Sequence, residues 1–87
     1  MYDVRIKRSV MKKVDKLRPL EKDKFRLLLA DLRDRGAIQK GWPNFSPLGN
    51  ASYHCHLSYN WVACWTWDKG TIEIEVYYVG SREEAPY

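Results

Sequence analysis

The last third of the chain constrains the fold most, because apolar and polar residues alternate there over three short segments separated by turn residues. Such segments, rich in aromatic and β-branched residues, are typical of antiparallel strands joined by hairpins. We predict a three-stranded meander with a two-residue loop at residues 59–60 and a three-residue loop at residues 68–70, in which Gly70 is left-handed. In this register Cys55 lies opposite Cys64. One face of the meander is then apolar and forms the core: Tyr53, Cys55, Leu57, Val62, Cys64, Ile72, Ile74 and Val76.

The first half of the chain has the spacing of one strand and two helices. Residues 2–7 alternate and predict a strand, and a brief amphipathic helix follows from Ser9 to about Pro19. Residues 20–35 predict a longer helix with Gly36 at its C-terminal end. The buried stripe of the longer helix is expected to be Phe25, Leu28, Leu29 and Leu32. Two aromatic residues of the following loop are expected to pack against the domain, Trp42 and Phe45.

A chain of 87 residues can bury one modest core, so we expect a single domain over residues 1–87. The element order, strand, helix, helix and three strands, predicts an α+β fold. The helical hairpin covers one face of a four-stranded antiparallel sheet, with the first strand antiparallel to the last one and a strand order of 1-4-3-2.

Charge and hydropathy restrict the class of protein. The formal net charge is +4, which fits a polyanionic partner but is also common in proteins without one. No signal-peptide core and no apolar run of membrane length is present, so we expect a cytoplasmic protein without a membrane partner. Cys55 and Cys64 are expected to be free thiols in the core.

Two histidines, His54 and His56, lie one residue apart in the first strand of the meander. The period of a strand places both imidazoles on the face opposite the core, with Glu75 close to His56 across Ala63. Imidazoles displayed in this way suit proton transfer, phosphate contact or metal binding, the last with Glu75 as a third ligand. A polar strand face without a role is the alternative.

The same register places two tryptophans, Trp61 and Trp65, on the uncovered face. Exposed indoles can stack on unpaired RNA bases, or they can form an interface with a protein partner. The basic side of the first helix supplies three further candidate RNA contacts, although lysines on such a face often serve only solubility: Lys12, Lys13 and Lys16.

Three local motifs and the terminal residue resemble the RelE/ParE superfamily of bacterial toxins from type II toxin–antitoxin systems. The motifs are residues 46–49, residues 53–57 and residues 77–84, followed by Tyr87. Size and element order are also similar over the whole chain. The resemblance therefore implies a RelE-like toxin domain.

For a RelE-like toxin the resemblance implies cleavage of mRNA in the ribosomal A site by attack of a 2′-hydroxyl, leaving a 2′,3′-cyclic phosphate, without a metal or another cofactor. It also implies a cognate antitoxin that wraps and inactivates the toxin. By position, Arg82 would bind phosphate, and Tyr87 would stack on a base or act as a general base. His54 and His56 stand where RelE has lysines, so they would allow acid–base catalysis. Val62 stands where RelE has a phosphate-contacting arginine.

Two other functions are compatible with the sequence. A ParE-like toxin would inhibit DNA gyrase by binding, without cutting RNA and without proton-transfer groups. A non-catalytic RNA-binding module would bind RNA in a salt-dependent way and release no products.

Overall fold

The computed structural model describes all 87 residues, which form two helices and five strands. The prediction of an α+β fold is confirmed. In chain order the elements are β1 (Asp3–Ile6), α1 (Arg8–Val14), α2 (Pro19–Arg35), β2 (Ser46–Pro47), β3 (Ser52–His56), β4 (Trp61–Trp67) and β5 (Glu73–Ser81).

Both predicted helices are present, and α2 begins and ends where the sequence indicates. Pro19 occupies its first turn, where a missing N–H costs nothing. Gly36 ends it with φ +91°, and its N–H donates to the carbonyl of Leu32 at 2.9 Å. The predicted stripe faces the core, although Leu29 is only partly buried: Phe25, Leu28, Leu29 and Leu32.

The five strands form one mixed sheet in the order β1-β5-β4-β3-β2. The predicted neighbours are correct, but β1 runs parallel to β5, so the antiparallel prediction is wrong. The cause is β2, a two-residue edge strand that the sequence analysis missed. Because β2 pairs antiparallel with β3, it adds one reversal of chain direction before the meander.

The register between β3 and β4 also differs from the prediction by one residue. The turn has three residues, 58–60, because the N–H of Leu57 donates to the carbonyl of Trp61 at 2.8 Å. Cys55 therefore pairs with Ala63 and not with Cys64. A shift of one residue moves every side chain of a strand to the other face. As a result, Ala63 and Trp65 join the core beneath the helices, whereas Val62 and Cys64 do not.

A β-bulge separates the two halves of the β4–β5 pairing. Trp65 pairs with Val76 and Cys64 with Tyr78, which leaves Tyr77 as the extra residue. Ile74 and Val76 are buried in the core as predicted. The prediction for Ile72 is wrong, because that residue precedes β5 and is 58% exposed.

Trp65 lies at the centre of the core, which consists of one cluster between the helices and the sheet. Its indole N–H donates to the carbonyl of Ala37 at 3.0 Å, so no polar atom is left unpaired. Phe45 stacks on Trp65, with 6.1 Å between the ring centroids. The indole of Trp42 donates to Asp31 at 2.8 Å. The prediction that both loop aromatics pack against the domain is confirmed.

Candidate active site under the C-terminal tail

The sheet face opposite the helices lies against the C-terminal tail, residues 82–87, through the Tyr87 ring. We call it the tail face, and it carries the side chains of His54, His56, Val62 and Cys64. The Tyr87 ring lies 4.5 Å from the His54 ring, centroid to centroid. His54 is only 7% exposed, and Val62 and Cys64 are fully buried. The prediction that both histidines point away from the helices is consistent with this arrangement.

His56 lies at the partly exposed edge of the tail face, with its ring centroid 5.8 Å from that of His54. Burial lowers the pKa of His56 below its ordinary value of 6.5, and the neighbouring His54 and the Arg82 charge lower it further. The backbone of Tyr59 opposes this effect and raises the pKa of His56. His56 is therefore neutral at pH 7 and able to accept a proton.

His54 is held by the edge strand β2. Its Nδ1 atom lies 3.1 Å from Ser46 Oγ and 3.4 Å from the Ser46 carbonyl oxygen. The Ser46 contacts fix the ring orientation and leave Nε2 for other partners.

Arg82 is held beside the β3–β4 turn at both its backbone and its side chain. Its backbone N–H donates to the carbonyl of Asn60 at 2.8 Å. Its guanidinium carbon lies 5.2 Å from the centroid of the Tyr59 ring, which is a cation–π distance. Arg82 remains exposed, and its charge reaches both His56 and Tyr87. This position gives the tail face one accessible bidentate donor for a phosphate.

Tyr87 carries a neutral phenol. Burial raises the pKa of Tyr87 above its ordinary value of 10.0, Cys64 raises it further, and only the Arg82 charge opposes the shift. The hydroxyl therefore stays protonated near pH 7 and can donate a proton or a hydrogen bond. Of the two roles that the resemblance implies for Tyr87, this environment disfavours the general base. Its ring remains available to stack, because the residue is 55% exposed.

The two tryptophans lie elsewhere, and the expectation that they are displayed on the open face is wrong. Trp65 is completely buried because the one-residue shift turns it toward the helices. Trp61 is half-buried, packs against the same core and lines a groove with Lys13 and Lys16. Lys12 and Lys13 are exposed on α1, and Lys16 is exposed just after it.

Glu75 does not approach the histidines. It pairs with Thr66, whereas His54 and His56 pair with Cys64 and Val62 nearer the other end of the hairpin. Nowhere in the chain do three His, Cys, Asp or Glu side chains group closely enough to hold a metal ion. The structure therefore does not assemble the alternative site of two imidazoles and Glu75.

Two elements of the site were not foreseen. The β3–β4 turn supplies the Asn60 carbonyl and the Tyr59 ring, which hold Arg82. The only sequence signal was an aromatic residue within a polar turn. Tyr78 is the other addition: it pairs with Cys64, donates its hydroxyl to the Ser81 carbonyl at 2.7 Å and receives the Lys13 ammonium 5.1 Å from its ring centroid.

Comparison with known proteins bears on the fold. No protein-family model matches the sequence, and no curated protein matches it. Among solved structures, RelE from the RelE–RelB complex of Pyrococcus horikoshii superposes with a TM-score of 0.76 at 15% identity, covering 97% of this chain and 98% of that one. The chain has the RelE fold.

Two further structures with the RelE fold are similar to this chain. The isolated E. coli RelE toxin has a TM-score of 0.75 at 16% identity, covering 99% of this chain and 89% of its own. The E. coli DinJ–YafQ complex has a TM-score of 0.74 at 14% identity, covering 95% of this chain and 96% of that one. Neither helix of this chain has the length and apolar character needed to cross a bilayer.

Proposed function

We propose that the protein is the toxin of a type II toxin–antitoxin system and cleaves mRNA in the ribosomal A site by metal-independent attack of a ribose 2′-hydroxyl. The observation that carries the proposal is the gathering of two imidazoles, a guanidinium and a phenol on one face of the sheet, away from the helices. The fold, which is that of the E. coli RelE toxin, supports the same function.

His56 is the general base of the proposed reaction. Its lowered pKa keeps the ring neutral at pH 7, so it accepts the proton of the 2′-hydroxyl as that oxygen attacks the adjacent phosphorus. Arg82 forms the fork that binds the non-bridging phosphate oxygens, where negative charge increases in the transition state. The P–O5′ bond breaks, and the products are a 2′,3′-cyclic phosphate and a 5′-hydroxyl.

Tyr87 donates the proton that the departing 5′-oxygen takes up. The phenol of Tyr87 stays protonated near neutral pH and lies against His54, whose ring is fixed by Ser46. Because the Tyr87 ring covers His54 in the free protein, RNA binding replaces that contact. The tail is the element that moves, because it covers the face without belonging to the sheet.

A cognate antitoxin is the proposed protein partner. Relatives of similar fold occur as pairs in solved structures, RelE with RelB and YafQ with DinJ. An antitoxin that keeps the tail closed over the histidines, or that covers Arg82, would suppress cleavage without altering the core.

Primer extension on mRNA bound to programmed ribosomes tests the proposal. The wild-type chain is expected to give breaks within the A-site codon and to arrest growth when expressed. The triple variant His54→Ala, His56→Ala, Arg82→Ala is expected to do neither while keeping its circular dichroism spectrum. Intact cleavage by the triple variant would contradict the assignment. Inhibition of gyrase supercoiling without RNA breaks would instead favour the ParE-like function.

A further inference from the structure

The burial of the tryptophans leaves the proposed RNA substrate without the stacking surface that the sequence suggested. The chain has twelve Phe, Trp and Tyr residues, four of them Trp, six Tyr and two Phe. Only two of the twelve are largely exposed, Tyr59 at 78% and Tyr87 at 55%. Both lie at the candidate active site, Tyr59 beside Arg82 and Tyr87 beside His54.

From this placement we propose that Tyr59 is a base-binding residue of the protein: its ring stacks on the nucleobase next to the scissile phosphate, on the side away from Tyr87. The inference rests on the proposed function and names a substrate contact within it. Single-stranded RNA is gripped in this way because every base offers an aromatic face for stacking.

The surroundings of Tyr59 suit this role. One face of the ring is occupied by the Arg82 guanidinium at 5.2 Å, and the high exposure of the residue leaves the other face open. The turn is fixed by the hydrogen bond from the Arg82 N–H to the Asn60 carbonyl, so the ring stands on a defined loop. A base stacked there would place its own phosphate next to the guanidinium.

The same loop couples binding to chemistry. The backbone of Tyr59 acts on the pKa of His56, and its side chain contacts Arg82. The β3–β4 turn therefore places the base-stacking ring against Arg82 and begins two residues after His56.

The test measures binding to RNA in which the 2′-oxygen is methylated and cannot attack. Labelled oligonucleotides, free in solution and in the A site of programmed ribosomes, are titrated with wild type, Tyr59→Ala and Tyr59→Phe. Tyr59→Ala is expected to weaken binding about tenfold, within the range of one lost stack, and Tyr59→Phe is expected to bind like wild type. Ile72→Ala, which truncates an exposed side chain in the other hairpin turn, is the matched control and is expected to have no effect.

Two measurements separate stacking from an indirect effect through Arg82. Removing the base from the nucleotide that stacks on Tyr59 should weaken RNA binding by wild type about tenfold and leave RNA binding by Tyr59→Ala unchanged. The reason is that the abasic nucleotide and the Tyr59→Ala substitution remove the same contact. Tyr59→Ala should keep the salt dependence of binding, whereas Arg82→Ala should reduce its slope by about one.

The inference is overturned if Tyr59→Ala binds like wild type in both settings, if no abasic position abolishes the difference between the two proteins, or if wild type binds neither form of RNA. Its failure is distinct from that of the proposed function. Normal cleavage with no Tyr59 effect would remove only the stacking role, whereas stacking without any cleavage would remove only the nuclease.

Discussion

Helices cover one face of the sheet and a short tail covers the other, and the two covers bury different chemistry. The helix face holds apolar and aromatic side chains around Trp65, with the one buried indole hydrogen-bonded. The tail face holds two imidazoles, a thiol and a phenol near an exposed guanidinium. The polar groups tolerate this position because the buried His54 has a hydrogen-bond partner in Ser46, whereas His56 is only partly buried and Arg82 is exposed. The comparison suggests that the helix face provides stability and the tail face provides the proposed activity.

The largest effect is expected from His56→Asn, which should lower the rate of RNA cleavage by about 10²- to 10⁴-fold, the usual contribution of a general base. Stability should change little, because the residue lies at the edge of the tail face. Single-turnover cleavage on programmed ribosomes measures the rate. Glu75→Gln is the control, since Glu75 pairs with Thr66 away from the histidines. A similar loss of cleavage rate in Glu75→Gln would contradict the assignment of the proposed activity to the histidine end of the tail face.

Trp65→Ala should have a different effect from His56→Asn, because it should lower the stability of the fold. Truncation of a buried tryptophan typically costs about 3–5 kcal/mol, which is a large part of the stability of a small domain. The half-buried Trp61→Ala should cost less. Chemical denaturation of both variants checks this. If Trp65→Ala kept its unfolding midpoint and lost only RNA affinity, Trp65 would be the displayed base-stacking residue that the sequence suggested.

Gly36→Ala should produce a smaller loss of stability, about 1–3 kcal/mol, at the point where α2 ends. The residue has φ +91°, and an added Cβ would lie 2.6 Å from the nearest ring carbon of Tyr2. Gly41→Ala is the matched control, because nothing lies within 4 Å of its Cβ position. Equal thermal midpoints for the two variants would contradict the expected clash between the added Cβ and the Tyr2 ring.

The smallest expected effect is a pH dependence of stability that originates on the tail face. The pKa of His56 is below 6.5 in the folded protein and near 6.5 in the unfolded chain. As the pH falls below about 6.5, the unfolded chain therefore takes up a proton first, and the free energy of unfolding decreases. The decrease is complete once the pH is below the folded pKa. Denaturation curves from about pH 7.5 to about pH 5 should show it, with a smaller slope in His56→Asn. Identical slopes would mean that burial does not perturb His56.

The sequence predicted the elements well because their signals are local. Pro19 and Gly36 mark the ends of α2, and the strict alternation from Tyr53 to Leu57 identifies both faces of β3. The clustering of His54, His56, Arg82 and Tyr87 follows from that alternation and from the resemblance. Their chemical roles remain predictions.

The sidedness of β4 could not be read from the sequence. Its residues Val62, Ala63, Cys64 and Trp65 are all fully buried, so hydrophobicity does not distinguish its two faces. The core-facing side of β4 was therefore inferred from the length of the β3–β4 turn. Because that turn has three residues and not two, the side chains of β4 lie on the faces opposite to those predicted. The parallel direction of β1 depended in the same way on the two-residue strand β2, which is too short to give a periodic signal.

Photo-crosslinking tests the central claim, that RNA binds to the tail face, most directly. An mRNA with 4-thiouridine in the A-site codon and a methylated 2′-oxygen is irradiated on ribosomes with the wild-type protein, and crosslinked peptides are identified by mass spectrometry. We expect crosslinks at the β3–β4 turn and the C-terminal tail, including Tyr59 and Tyr87. Crosslinks confined to the outer surface of the helices, at exposed residues such as Met11 and Leu27, would contradict the account.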